Sequence, residues 1–365
     1  MTTSRVCAPL LLLLAACGAC TSAADEGVAG TASLPVEPVN PGAVPLTSVP
    51  LPGGEVGIGF DDLRWSARLQ RVLVPGGRTG KLFLVDPAGG AAQAVGAFSA
   101  KTDFSGGHGD GTTSVDEGEG TVYAIDRTSR SLLVLGAAWQ VASRVALGGG
   151  PDYVRFVAPT RELWVTEPSA EAIEIFRPGA TPAEPPQRIA GIAVPGGPES
   201  FVVDAARGRA WTHLWSGETV AIDLVTRRIV ATVPNGCTGS RGIALDEARG
   251  LLLVGCAEGR ATVLDAAHDG RMLSSLETGA GGDVDIIDYD PRTGHLYVPG
   301  GDAGGLTVFG VGAGGALARL GTVAIAPGCH SVATDGAGRV FVGDPANGRL
   351  LVFRDTFPAS LPAAR

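Results

Sequence analysis

The chain has 365 residues, 55 of them Gly and 25 Pro, with 28 Lys and Arg against 37 Asp and Glu, for a formal net charge of −9. Only Arg227-Arg228 are adjacent basic residues, so there is no basic stripe to track a phosphate backbone, which argues against nucleic acid as a partner. Short Val-, Ile-, Leu- and aromatic-rich runs bounded by Gly, Pro, Asn or Asp, with no helical period of useful length, exclude an α-helical class and predict an all-β fold.

The N-terminus carries Arg5 and then the apolar run Leu10 to Ala16, which is too short to cross a bilayer as a helix. It ends in Leu14-Ala15-Ala16-Cys17. This resembles the bacterial lipobox, whose Cys is lipidated and becomes the first mature residue. The resemblance implies a lipoprotein signal peptide over 1–16 and lipidation at Cys17; an ordinary secretory signal with an incidental Cys is the alternative. Residues 17–43 are rich in Ala, Gly, Ser, Thr and Pro and are read as a flexible tether. The chain is therefore expected to be exported and lipid-anchored to the cell envelope, in the periplasm or at the outer membrane, with attachment resting on lipid alone.

From there a unit recurs: an apolar run ending near an Asp, a turn, a strand-like run, a Gly-rich turn and another strand-like run. Asp116, Asp204, Asp246, Asp290 and Asp335 close its first strand, and Val157 holds that place in one unit. Second strands read Thr121–Ile125, Glu162–Thr166, Arg209–His213, Leu251–Gly255, His295–Pro299 and Arg339–Gly343. An earlier unit fits with Phe60-Asp61-Asp62 closing its first strand, Arg71–Val74 and Lys81–Val85 following, and a fourth strand within Ala92–Ala100. The unit recurs about every 41–47 residues, the size of one four-stranded propeller blade. The prediction is a seven-bladed β-propeller over 44–358 with a short tail over 359–365. The last unit lacks a fourth strand, and Val44–Leu51 can supply it, which would close the ring and remove a sheet edge.

Cys237 precedes the first strand of the fifth unit and Cys256 ends its second. Those ends lie side by side in an antiparallel pair, so a Cys237–Cys256 disulfide is predicted, as an exported compartment permits. Cys329 has no partner in this scheme and is read as a buried thiol.

Gly236-Cys237, Arg241 to Asp246, Leu251 to Cys256 and Thr262 to Asp265, with Asp283 to Asp290, His295 to Val298 and His330 to Asp335, together resemble the YVTN-type β-propeller repeat proteins. These are exported bacterial proteins related to surface-layer propellers, and many carry a Cys-bracketed blade. The resemblance covers most of residues 60–355. It implies the propeller fold and a binding or envelope role. The literal Tyr-Val-Thr-Asn signature is absent; the nearest forms are Trp164-Val165-Thr166-Glu167 and Tyr297-Val298-Pro299-Gly300.

In a propeller the first strand of each blade lines the central channel. Aligning units on the closing Asp sets Gly111, Asp152, Glu199, Arg241, Asp285 and His330 at one level, with His108, Asp110 and Asp283 nearby in the entrance loops. Convergent polar residues of this kind are the candidate face for a small polar or cationic molecule, for a divalent metal if two acids turn inward, or for an envelope protein or peptide. Channels are also commonly polar-lined without further function. No catalytic residue, metal ligand or cofactor is assigned. Glu199, Asp152 and Asp285 could imitate the carboxylates of a metal-dependent lactonase, but no Asn joins them at the aligned level. Trp65, Trp139, Trp164, Trp211 and Trp215 do not recur as the docking repeats of a quinone-dependent dehydrogenase would. The run Gly106 to Gly111 reads as a long entrance loop, because no helix follows to cradle phosphate. Asp283, Asp285, Asp288 and Asp290 resemble a calcium ladder, but alternation along a strand separates them onto different faces. His213, in a second strand, is expected to face a neighbouring blade.

Overall fold

A computed structural model describes residues 44–88 and 90–360. The expected signal peptide, Cys17 and the tether lie outside the described residues. Strands form wherever β-branched, Leu-rich or aromatic runs alternate with turn residues, and they assemble into seven four-stranded antiparallel sheets.

The inner strands are Arg64–Ser66, Thr112–Gly118, Val154–Val157, Phe201–Asp204, Ser240–Asp246, Asp288–Asp290 and Val332–Thr334, for blades 1 to 7 in order. Each contacts the inner strand of the next blade, and that of blade 7 contacts blade 1, so the ring closes. Each of the seven hydrophobic clusters lies between two neighbouring sheets. Trp164 packs with Phe201 between blades 3 and 4, and Phe83 with Phe341 between blades 1 and 7. Burial of apolar side chains between the blades is the main force holding them face to face.

The clasp is as predicted. Thr47–Pro50 is the outer strand of blade 7, with Thr47 opposite Val352 and Pro50 opposite Arg349. Val49 and Leu51 are buried beneath it. The last described residues cross to blade 6, where Asp355 accepts from His295 Nδ1 at 2.6 Å and from Tyr297 Oη at 2.6 Å. Ser360 N donates to the Thr293 carbonyl, so the packed segment reaches beyond the predicted end at residue 358.

Two blades depart from the predicted register. In blade 1 the inner strand is Arg64–Ser66, and Ser66 rather than Asp62 pairs with Arg71. In blade 2 the hairpin is tighter than elsewhere. Gly118 pairs with Thr121 across Glu119-Gly120, whose φ angles of 54° and 89° are both positive, as a two-residue type I′ turn requires. In blades 3 to 6 the residue closing the inner strand pairs with one five positions on, as Asp204 does with Arg209. Asp116 therefore sits two residues before the closing position. It shares the role of Asp288: Asp116 accepts from Phe156 N at 2.8 Å and Asp288 from Thr334 N at 2.7 Å, each bridging to the next blade.

Cys237 and Cys256 are joined by a disulfide with Cα atoms 5.2 Å apart. Cys329 is free and buried, and burial, aided by the Asp344 charge, pushes its thiol up to about 12. His213 faces blade 5 as expected. Its Nε2 lies 3.2 Å from the Gly242 carbonyl and its Nδ1 2.9 Å from Thr219 Oγ1. Burial lowers it to about 3, so it is neutral at ordinary pH.

Candidate functional site

The corrected register changes the entrance ring. Five residues before Ser66 stands Asp61, and five before Gly118 stands Thr113. The ring is therefore Asp61, Thr113, Asp152, Glu199, Arg241, Asp285 and His330. Hydrogen bonds between blades support this placement. Asp62 N donates to the Thr113 carbonyl at 3.1 Å just as Ile286 N donates to the His330 carbonyl at 2.9 Å. Gly111 is displaced from the ring. It packs against Gly77 at positive φ, where an added Cβ would lie 2.1 Å from the Gly77 carbonyl oxygen.

Asp152, Glu199, Arg241 and Asp285 line one cavity of about 590 Å³ at the entrance end, together with His108, Arg127, Tyr153, Trp215 and Asp283. His330 stands beside it, its ring centroid 5.6 Å from that of His108. Asp110 does not join them. It is half-exposed and pairs with Lys101 at 2.7 Å. His108 is carried inward by the 101–111 loop, because Gly59 has no side chain. A Cβ on Gly59 would lie 2.0 Å from the Gly107 carbonyl oxygen.

Asp61 organises the floor. Its carboxylate accepts from His108 Nδ1 at 3.0 Å and Tyr153 Oη at 3.2 Å, and Arg127 Nη2 lies 3.4 Å away. Burial alone would raise the Asp61 carboxyl. His108, Arg127 and His330 outweigh it and hold the group below its ordinary value. The Asp61 charge in turn lifts His108 to about 9, with Asp285 adding to the effect and burial opposing it. Burial and the neighbouring Asp61 charge raise Asp285. Burial, with Asp285 next, lifts Glu199 to about 7.

The remaining ring groups are unequally engaged. Arg127 forms an ion pair with Asp152 and donates to the Pro151 carbonyl at 3.0 Å. Trp215 Nε1 donates to Glu199. Arg241 is open: among the described residues it makes no ion pair. It donates to the Ser240 carbonyl at 3.0 Å, and its guanidinium carbon lies 5.6 Å from the Trp215 ring centroid. With Asp152 and Glu199 already held, two of the three carboxylates that a lactonase-type site would need are committed to other partners.

Tyr153 also lines a second cavity of about 480 Å³ toward the opposite end, so it separates the two spaces. Below it Arg155 and Asp62 form a buried bidentate pair at 2.5 and 2.8 Å, with Ser114 Oγ donating to Asp62 at 2.6 Å. Asp283 stands at the rim, Asp285 in the entrance cavity, and Asp288 and Asp290 in the inner strand of blade 6. The four acids therefore do not form one site.

Asp61, Arg127, Tyr153 and Trp215 were absent from the sequence-based site. Arg127 and Trp215 lie in turns between second and third strands. Those turns emerge on the same face as the start of each inner strand, because antiparallel strands alternate direction. That rule was available from the sequence.

No known protein-family model matches this chain, and no characterised protein matches it in sequence. The fold has many counterparts among solved structures. The structure of U3-55K aligns with a TM-score of 0.69 at 10% identity, covering 85% of this chain and 98% of the other. A chain of the mitotic checkpoint complex aligns at 0.66 with 15% identity, covering 90% and 98%. The WD40 repeats of RRP9 align at 0.68 with 10% identity, covering 85% and 97%. This chain is a seven-bladed β-propeller. At such identities the likeness speaks for the fold alone.

Proposed function

We propose that this propeller is a binding or scaffolding module of a bacterial cell envelope, and that its entrance cavity is the ligand face. The observation that carries the reading is Arg241. It is a guanidinium without an ion-pair partner among the described residues, set against Trp215 in a cavity of about 590 Å³. An unpaired guanidinium on an aromatic face suits a carboxylate or another planar anionic group. The ligand is accordingly a polar molecule bearing an anionic group, or a peptide presenting one at its end.

The test uses ligand-observed NMR with a panel of amino acids, small carboxylates and short peptides. Hits are expected to compete for one site and to be lost in the Glu199→Ala, Arg241→Ala double variant. Loss of one guanidinium–carboxylate contact corresponds to weakening by roughly 10- to 100-fold. Hits that bind the double variant as well as the parent would refute the assignment.

Anchoring through Cys17 and kinship with YVTN-type propellers belong to the same proposal. The Leu14-Ala15-Ala16-Cys17 sequence and a disulfide suited to an oxidising compartment support them. A Cys17→Ser chain is expected to leave the membrane fraction; retention there would exclude lipidation at Cys17 as the anchor.

A further inference from the structure

Five histidines occur in the chain, and their ring nitrogens are engaged in different ways. His213 has both nitrogens within hydrogen-bond reach of protein atoms, Thr219 Oγ1 and the Gly242 carbonyl. His295 is likewise held by Asp355 and the Pro358 carbonyl. His268 is an exposed side chain paired with Asp265. His108 and His330 differ from these. Each has one nitrogen held by a protein acceptor and the other facing a carboxylate at the entrance, Asp285 for His108 and Asp283 for His330.

For His330 the held nitrogen is Nε2, 3.0 Å from the Phe60 carbonyl. A carbonyl only accepts, so Nε2 carries the hydrogen and Nδ1 keeps its lone pair in the neutral ring. For His108 the held nitrogen is Nδ1, 3.0 Å from the Asp61 carboxylate, the shorter of its two contacts, with Arg127 Nη1 3.3 Å away. Its Nε2 points at Asp285, 3.7 Å from Oδ2. One nitrogen of each ring and one Asp285 oxygen all lie within 4.8 Å of one another. Asp283 Oδ2, 3.9 Å from His330 Nδ1, is a further oxygen at the rim.

We propose that His108, Asp285 and His330 form a binding site for a divalent first-row transition ion of the zinc type at the floor of the entrance cavity. Two imidazoles and one carboxylate are the donor set such an ion takes, whereas calcium and magnesium prefer all-oxygen cages. The backing is what a ligating histidine needs: a carboxylate behind His108 and a backbone carbonyl behind His330 fix each ring's orientation and tautomer. Metal bonds of about 2.0–2.1 Å set tetrahedral ligands about 3.3 Å apart, so the three side chains close inward by roughly an ångström on binding. The ion takes the place of any proton on His108 Nε2, which is released to solvent, and neutralises the Asp285 charge. Three protein ligands leave the fourth position open.

The sequence allows a divalent metal at the ring only if two acids turn inward and assigns it no ligand, because His108 and His330 belong to blades 2 and 7 and meet only once the ring closes. It does not depend on the Arg241 ligand face, and the test separates the two. The full chain, purified without a histidine tag and stripped with chelator, is titrated with Zn²⁺ by calorimetry. One equivalent is expected to bind. Partners that merely orient a ligand are worth 10- to 100-fold in affinity, so His108→Ala, His330→Ala and Asp285→Asn should each weaken binding by about 100-fold or more. His268→Ala, on an exposed side chain outside the cavity, should leave it unchanged. Substituted Co²⁺ should give visible d–d absorption that is lost in His108→Ala. Should His330→Ala fail to fold, His108→Gln, on a half-exposed loop side chain, carries the decision. The proposal is overturned if the chain takes up no stoichiometric Zn²⁺, or if the His108 variants bind it as the parent does.

Discussion

Replacing Asp62 with Ala is expected to destabilise the propeller by about 3–5 kcal/mol, the range for a buried ion pair stripped of one member. Arg155 is 6% exposed and Asp62 2%, so the guanidinium left behind could not recover its lost partner from water. Arg155 Nε already lacks a hydrogen-bond partner, and Nη2 relies on Asp62 alone, while Nη1 would keep only the Val154 carbonyl at 2.8 Å and a long contact to Ser114 Oγ. The guanidinium carbon also packs 5.4 Å from the Tyr153 ring centroid and 6.0 Å from that of Phe201. Its displacement would therefore disturb the wall between the two cavities. Chemical denaturation followed by tryptophan fluorescence reads the change. Exchanging both residues together for apolar side chains of similar volume should restore much of the loss, because the pair's attraction largely offsets its own desolvation. A single Asp62→Ala loss below about 1 kcal/mol would show that the pair is hydrated rather than buried as described.

Deleting residues up to Pro52 is the second large effect. Blade 7 would keep three strands, and the Arg349–Arg354 strand would become an open edge. Val49 and Leu51, 5% and 2% exposed, would be lost. Full burial of two such side chains contributes about 3–6 kcal/mol, and the severed ladder adds to it. An unpaired edge with buried Leu350 beside it invites pairing with another chain. The truncated protein is expected to unfold at markedly lower denaturant and to associate in size-exclusion chromatography. A monomer with an unchanged unfolding midpoint would contradict the clasp.

Much of this architecture was legible because each blade repeats the same sequence of local decisions. Asp204, Asp246, Asp290 and Asp335 each accept from backbone N–H groups just beyond the inner strand, so the turn chemistry that stabilises the hairpin also marks the repeat. The missing last strand and the Cys237–Cys256 pairing followed from that register. It failed where a blade uses different turn chemistry. Blade 1 closes on Ser66, whose hydroxyl accepts from Leu69 N as the aspartates do elsewhere, and the nearby Asp61-Asp62 drew the alignment away. Blade 2 turns on Glu119-Gly120, so Asp116 was aligned two residues early. The first slip hid Asp61, which holds His108, Tyr153 and Arg127 together, and the second set Gly111 in the place of Thr113.

The ring of charges was partly legible for a different reason. A repeat position converges in space whatever its residue type, so Asp152, Glu199, Arg241 and Asp285 could be placed without knowing their partners. Which of them would be free could not be read that way. Arg127 neutralises Asp152, and Trp215 engages Glu199, from turns that carry no repeat signature. Availability is set by side chains from neighbouring blades, and this leaves Arg241 and Asp285 as the groups open to a ligand.

The most direct test is to soak crystals of the full chain with the NMR hits and locate them by difference density. They are expected to lie in the entrance cavity, with an anionic group on the Arg241 guanidinium beside Trp215. Hits found only beyond Tyr153, in the cavity bordered by Asp288 and Tyr289, or on the outer faces of the blades, would contradict this assignment.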